Sequence, residues 1–429
     1  MTVVHYVNQF FAGLGSEDAA MHEPVRLEGP QGPGRGLGAA GLDVDVTLAC
    51  GDDHFAVTED AALATLVGWL KELQPDVLVC GPAFDAGRYG YACGSLAREA
   101  SRLGIPVVAG MHEENPGVQA AEGGAYIVPT SATVAGMKEA LPTMAALALR
   151  LAVGEELGEP EEEGYLPRGI RRNAVDDRSG ADRAVDMLMA KVRGEPFETE
   201  AAPSADRVPP AKPVPDLSTA LIALVSESGC VPIGNPDGLV SRRAHSWYRY
   251  PLEGMRSLAG VYETVHGGFD KTAANEDANR LVPLDVVRTL EDEGRIGVLH
   301  ETFRVTTGVD TPVASATRIG QEMAAELVEA GVQAAIVTGT CGTGSRSGAI
   351  LAREIERAGI PTTVITALPS IGQMIGANRI VRGTAITNPV GDPSLSHEDE
   401  VALRRRLVET ALDLVATEVD PGTVRELDA

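Results

Sequence analysis

Short apolar runs alternate with amphipathic helical stretches along this chain, in two successive sets parted by a proline-dense segment. Such alternation points to parallel sheets covered by helices, with ligands at the carboxyl ends of the strands. In the first set, Val3 to Phe10, Val44 to Cys50, Val77 to Gly81, Ile105 to Ala109 and Ala125 to Pro129 read as strands. Helices are expected at Ala61 to Leu73, Tyr91 to Leu103 and Ser131 to Ala152, with another at Ala181 to Lys191. In the second set, strands are expected at Ala220 to Ser226, Ile296 to His300, Ala334 to Thr338, Thr362 to Ala367 and Gly383 to Thr387. Helices there are expected at Leu284 to Asp292, Ala314 to Glu329, Ser347 to Ala358 and Glu398 to Val419. Between the sets, Pro203, Pro209, Pro210, Pro213 and Pro215 are too dense for regular hydrogen-bonded structure.

The pattern predicts an α/β fold of two doubly wound, Rossmann- or flavodoxin-like domains whose mainly parallel sheets face a cleft. Residues 1–200 are expected to form the N-terminal α/β domain with a C-terminal helical extension, 201–215 a linker, and 216–429 the C-terminal α/β domain. No sequence repeat indicates an internal duplication. A formal net charge of −25 argues against nucleic-acid or anionic-membrane partners, since both are bound by neutralising phosphate with Lys and Arg. Arg168, Arg171 and Arg172 cluster, as do Arg404, Arg405 and Arg406, the latter on a helical run that a solvated face explains. Five dispersed cysteines, with no metal-like spacing and no apolar leader, fit a cytoplasmic chain with reduced thiols and no metal. No apolar run reaches the roughly 20 residues needed to span a bilayer.

The segment Ala334 to Ile350, AAIVTGTCGTGSRSGAI, sets Cys341 between an apolar strand and a helix. Gly339, Gly342, Gly344 and Gly348 are expected to let the backbone turn and approach a ligand, with the helix starting at Ser347. N–H groups at that helix start would favour a thiolate. An inert, buried cysteine in an ordinary strand-to-helix turn fits the local pattern equally. Thr340, Gly342, Thr343 and Arg346 are candidates for holding a substrate carboxylate, although Arg346 is also readable as a solvent-facing loop residue. The glycine pattern is a weak phosphate signal, without a Walker lysine or an acidic ribose ligand.

Elsewhere, YETVHGGFDKTAANED places Glu263 and His266 after an apolar run, and His266 is the first choice for proton transfer, with a structural histidine as the alternative. MHEENPG puts Glu113, Glu114 and Asn115 on a loop at a strand's carboxyl end. Glu113 or Glu114 would recognise a cationic amine there, or the group is a turn and cap before Pro116. Cys93, at another expected helix start, is the candidate second thiol, whereas Cys50 and Cys80 read as buried small hydrophobes.

An ordered series of segments carries a resemblance along nearly the whole chain: HYVNQFFAGLG, GRYGYACG, EENPGV, EEEGYLPRGIRRN, RAVDMLMAKVRGEPF, DRVPPA, ALVSESGCVPIGNPD, YETVHGGFD and IGANRIVRGTAITNPVGDPSLSHEDE. The chain resembles the selenoprotein B family of the glycine, sarcosine and betaine reductases. The resemblance implies a subunit of a reductive amine-cleaving system in which a selenol attacks the α-carbon of a small amine or amino acid. It implies no intrinsic cofactor, a pyruvoyl group on a partner subunit, homo-oligomer or partner-subunit assembly, and an external thiol or thioredoxin-type reductant.

Cys341, Gly344 and Ser347 stand where the family pattern leads one to expect a selenocysteine and two cysteines. A sulfur nucleophile is retained and both nearby resolving thiols are gone, so any redox cycle needs another thiol. Cysteines restored at 344 and 347 are expected to permit a loop disulfide. The altered loop leaves two further readings open: a thiol-dependent lyase or reductase cleaving a C–S or N–N bond in another substrate, and a non-catalytic ligand-binding subunit.

Overall fold

The computed structural model describes residues 1–169, 178–195 and 206–427. Arg171, Arg172 and the 198–205 part of the proline-rich stretch lie outside the described residues.

The fold is α/β, with two doubly wound, mainly parallel sheets. The first contains β1 (Val3–Asn8), β2 (Val25–Glu28), β3 (Val46–Cys50), β4 (Val77–Cys80), β5 (Val107–Met111) and β6 (Tyr126–Pro129), in the order β2-β3-β1-β4-β5-β6. Only β2 runs antiparallel, on the edge beside β3. β1 and β4 are buried along their whole length, which explains their near-continuous apolar sequences.

The second sheet is built from β7 (Leu221–Ser226), β9 (Tyr248–Pro251), β11 (Val298–Leu299), β12 (Thr302–Val305), β13 (Ala334–Gly339), β14 (Thr362–Thr366), β15 (Arg379–Arg382) and β16 (Thr423–Arg425). Its order is β16-β15-β14-β13-β7-β12-β9, with β11 also paired to β7. A small antiparallel pair, β8 (Cys230–Pro232) and β10 (Tyr262–Thr264), stands beside it.

In each sheet the chain leaves its first strand to one side and later returns to the other. That reversal opens a crevice between β1 and β4 in the first sheet and between β7 and β13 in the second. The loops after β1, β4 and β13 meet across one cavity.

Several expected boundaries move. The expected strand Gly383 to Thr387 is a loop, and the strand lies just before it, at β15. Arg379 hid β15 from an apolar pattern: it is buried and bonded to the buried Glu356. The helix expected from Ser131 starts at Met137, and the one expected from Tyr91 starts at Gly87.

The described part of the proline-rich stretch packs against the second half. Asp206 pairs with Arg353 and Arg357, and the carbonyl of Ala211 accepts from Arg379. No helix among the described residues is long and apolar enough to cross a membrane.

Candidate active site

β13 delivers Cys341 directly into the first turn of the helix Gly342–Arg357, which begins five residues before the expected Ser347. Cys341 is itself the N-cap: its sulfur accepts from Gly344 N–H at 3.3 Å. Gly339, Gly342, Gly344 and Gly348 all lack the positive φ of a tight turn. Close packing requires glycine at two of them instead. A β-carbon on Gly342 would strike the backbone of Gly87 and Arg88, and one on Gly344 would lie 2.6 Å from the Glu227 carboxylate.

His266 reaches the same sulfur from the loop after β10. Its Nε2 lies 3.8 Å from Cys341 Sγ, and Thr343 Oγ1 is 3.7 Å from that sulfur. The ring is fully buried, stacks on Phe269 at 4.4 Å between centroids, and accepts at Nδ1 from Gly268 N–H at 3.1 Å. Because Nδ1 accepts, the neutral ring carries its proton on Nε2, facing the sulfur. Burial opposes a charge on His266, but Cys341 and Glu227 outweigh it and lift the imidazole to about 9. A second proton on Nδ1 would set two donors against each other, so the Gly268 contact restrains the ring from becoming fully charged.

Glu227, which sequence reasoning did not single out, completes the cluster. It follows β7, is fully buried, and lies 3.6 Å from His266 Nε2. Its carboxylate accepts from Thr340 N–H, from Thr340 Oγ1 at 2.6 Å and from Gly308 N–H at 3.1 Å. Its place just past a buried strand at the sheet's crossover was the available signal.

Cys341, Gly342 and Thr343 line a cavity of about 500 Å³ between the two halves. Phe10, Phe11, Phe84 and Tyr89 give it an aromatic wall, and Asp52, Asp85 and Asp310 add carboxylates. Arg88 crosses it, bonding to Asp53 at 2.5 Å, Glu17 at 3.1 Å and the Gly268 carbonyl at 3.0 Å. Burial raises the Asp52 carboxyl to about 6, outweighing the nearby Arg88 guanidinium and the hydrogen bond that Asn8 donates at 2.9 Å, both of which pull it down.

Other expected site residues are engaged elsewhere. Arg346 is buried and donates to Asp85 at 3.2 Å, to the carbonyl of Glu114 and to that of Thr311 at 2.9 Å. It ties the two halves together, so neither the carboxylate clamp nor the solvent-facing loop residue describes it. Thr340 spends its hydroxyl on Glu227. Glu114 accepts from Val313 N–H at 3.1 Å, capping the helix Val313–Glu329 of the other half. Asn115 caps the helix Pro116–Ala120 and bonds to the carbonyls of Phe84 and Ala86. Glu113 is exposed and outside the cavity wall, and Glu263 accepts from Gly234 N–H at 2.8 Å, also away from that wall.

Cys93 is not at a helix start but in the second turn of Gly87–Arg102, inside the first half's core. Burial pushes its thiol well above the ordinary range, and that of Cys50 up to about 12. The loop disulfide expected on restoring cysteines at 344 and 347 meets a physical obstacle at the first of them, because Glu227 fills the space a side chain at 344 would enter. Among the described residues, no group of three His, Cys, Asp or Glu side chains is placed to hold a metal ion.

Residues 1–340 match the family described as glycine/sarcosine/betaine reductase selenoprotein B. The chain is 48% identical over 428 residues to the glycine reductase complex component B subunit gamma of Carboxydothermus hydrogenoformans, covering 98% of both chains. It is 44% identical over 432 residues to the sarcosine reductase complex component B subunit beta of Peptoclostridium acidaminophilum, covering 99% of both. The betaine reductase complex component B subunit beta of that organism is 41% identical over 426 residues, with 98% of both covered.

Proposed function

Because this chain belongs to the glycine/sarcosine/betaine reductase selenoprotein B family, we propose that it is the subunit in which Cys341 acts as nucleophile in reductive C–N cleavage of a small amine or amino acid. The observation that carries this reading is the convergence of Gly344 N–H and His266 Nε2 on one cavity-lining sulfur. Donors so placed hold negative charge on sulfur before attack and keep it aimed into the cavity.

In the proposed step the thiolate forms an S–C bond to the α-carbon as the C–N bond breaks. The amine leaves with the bonding electron pair, and the organic fragment stays on sulfur as a thioether. The carboxylates and aromatic rings of the cavity suit a small cation. A pyruvoyl group on a partner subunit would supply an electrophilic carbonyl for the amine, in keeping with relatives named as components of multi-subunit complexes. Release of the fragment would then draw on an external thiol or thioredoxin-type reductant.

The test is intact and peptide mass spectrometry of the assembled complex after incubation with glycine, sarcosine or betaine. A substrate-derived mass on the Cys341 peptide, absent in Cys341→Ser, is the expected result. Turnover with Cys341 unmodified, or full activity in Cys341→Ser, overturns the reading.

A further inference from the structure

We propose that Glu227 is a positioning residue for Cys341, holding the residue before it and directing His266 toward its sulfur; this rests on the reading of Cys341 as nucleophile. A carboxylate is kept in a fully buried place only where donors offset its lost hydration. Oε1 accepts from both the N–H and the hydroxyl of Thr340, so the backbone entering Cys341 is fastened to it. Oε2 accepts from Gly308 N–H at 3.1 Å and lies 3.6 Å from His266 Nε2.

The space for this carboxylate exists because two glycines vacate it. A β-carbon on Gly344 would sit 2.6 Å from Oε2, and one on Gly308 would be nearer still. The notch therefore lies against the first turn of the helix whose N–H holds the Cys341 sulfur. Among the described residues, His266 is the one basic side chain within ion-pairing range of Glu227. The carboxylate charge thus acts on the ring atom that also faces the thiol, 3.8 Å away. An apolar side chain of similar volume would leave the Thr340 and Gly308 donors unsatisfied, and a neutral amide would meet the Thr340 donors without the charge, so the charge is what needs a role.

The other groups around His266 are already engaged. Phe269 stacks on the ring, and Thr340 Oγ1 stands 3.3 Å from Nε2. Arg88 and Arg242 bind the carbonyls of Gly268 and Gly267 on the same loop, and Asp310 pairs with Arg242. Cys341 and Glu227 are left as the two ionisable groups that face Nε2 directly.

The test follows alkylation of Cys341 by iodoacetamide across pH 5 to 10 in the full chain, together with a nitrogen-15 NMR titration of His266. Glu227→Gln keeps the shape and removes the charge. It is expected to lower the His266 midpoint by about one pH unit and to slow alkylation at the alkaline end of the range, where a one-unit shift makes the charged ring up to about tenfold scarcer. A role confined to packing would leave the midpoint unmoved. Should Glu227→Gln fail to fold, Thr340→Val decides: it keeps the carboxylate and cuts the hydroxyl bridge, and a change in the same direction of about threefold is expected. An unchanged midpoint and rate in the folded variant overturns the proposal. A wild-type Cys341 that resists alkylation overturns the nucleophile reading instead, and the His266 titration still decides the role of Glu227.

Discussion

Gly87 and Gly342, the first residues of helices from different halves of the chain, meet backbone to backbone. A β-carbon on Gly87 would lie 2.5 Å from the backbone nitrogen of Thr343, and one on Gly342 would collide with Gly87 itself. Two helix N-termini therefore converge beside Cys341, and their aligned peptide dipoles favour negative charge in the cavity between them.

Gly342→Ala should force these helices apart. Overpacking at a contact between backbones, which cannot rotate away, is expected to cost about 1–3 kcal/mol or more. Chemical denaturation measures it, and an unchanged midpoint would show that the two helices can separate without loss.

Limited alkylation at neutral pH should label Cys341 before any other thiol. Cys341 lines the cavity, while burial pushes the thiols of Cys50, Cys80, Cys93 and Cys230 upward. Cys341→Ser is expected to abolish that label and reduce turnover by about 10³-fold or more, with stability kept within about 1 kcal/mol. Peptide mapping and denaturation on the same sample separate loss of the nucleophile from loss of the fold.

Arg346→Met should leave Asp85 buried without its guanidinium partner. Removing one member of a buried pair costs about 3–5 kcal/mol, mostly from the stranded charge. Replacing both, as Asp85→Asn with Arg346→Met, is expected to recover part of that loss. A double variant no more stable than the single one would contradict the assignment of the cost to Asp85.

His5 supplies a pH dependence of known sign. It is fully buried, donates from Nε2 to the Gly81 carbonyl at 2.7 Å, and its imidazole is pushed down to about 4, chiefly by burial. Between pH 6.5 and 4 the unfolded chain binds this proton and the folded chain does not, so stability falls as the pH drops, by about 3 kcal/mol in total. Asp52 acts oppositely, since its carboxyl is raised to about 6 and it destabilises the fold as the pH rises from 3.8 through that value. Comparing denaturation of the wild type and His5→Gln across this window isolates the histidine. Equal slopes in the two proteins would rule out the buried neutral ring as their source.

Gly344→Cys should not yield a disulfide with Cys341 while Glu227 is in place, because the new β-carbon and the carboxylate claim the same space. The double variant Glu227→Ala with Gly344→Cys removes that conflict. Thiol titration under oxidising conditions compares them, and a disulfide in the single variant would show that Glu227 yields easily.

Cys341 was legible because its setting is local: an apolar strand, a glycine-rich stretch and a helix follow one another in the chain. The same glycines misled on where the helix begins. They read as turn residues, whereas in space they are points of contact with Gly87, Arg88 and Glu227, which lie far off in sequence. His266 stood out by residue type, but its distance from Cys341 is set by the β8–β10 pair, for which no strong periodic signal exists. Glu227 was hidden because one carboxylate in SESG looks like any polar loop residue until Gly308 and Gly344 are seen to make room for it. Arg346 was misjudged, and Asn115 left open between a ligand contact and the cap it proves to be, for a related reason: polar side chains in loops resemble ligand contacts when their partners belong to another part of the chain.

The contact between Gly87 and Gly342 also bears on how this molecule can be altered by recombination. A crossover in the proline-rich stretch would inherit one face of the contact from each parent, and a single added methyl group on either side would press on the backbone of the other, next to Cys341. The two halves are thus separate in topology yet bound to a shared inheritance at the point where chemistry is expected.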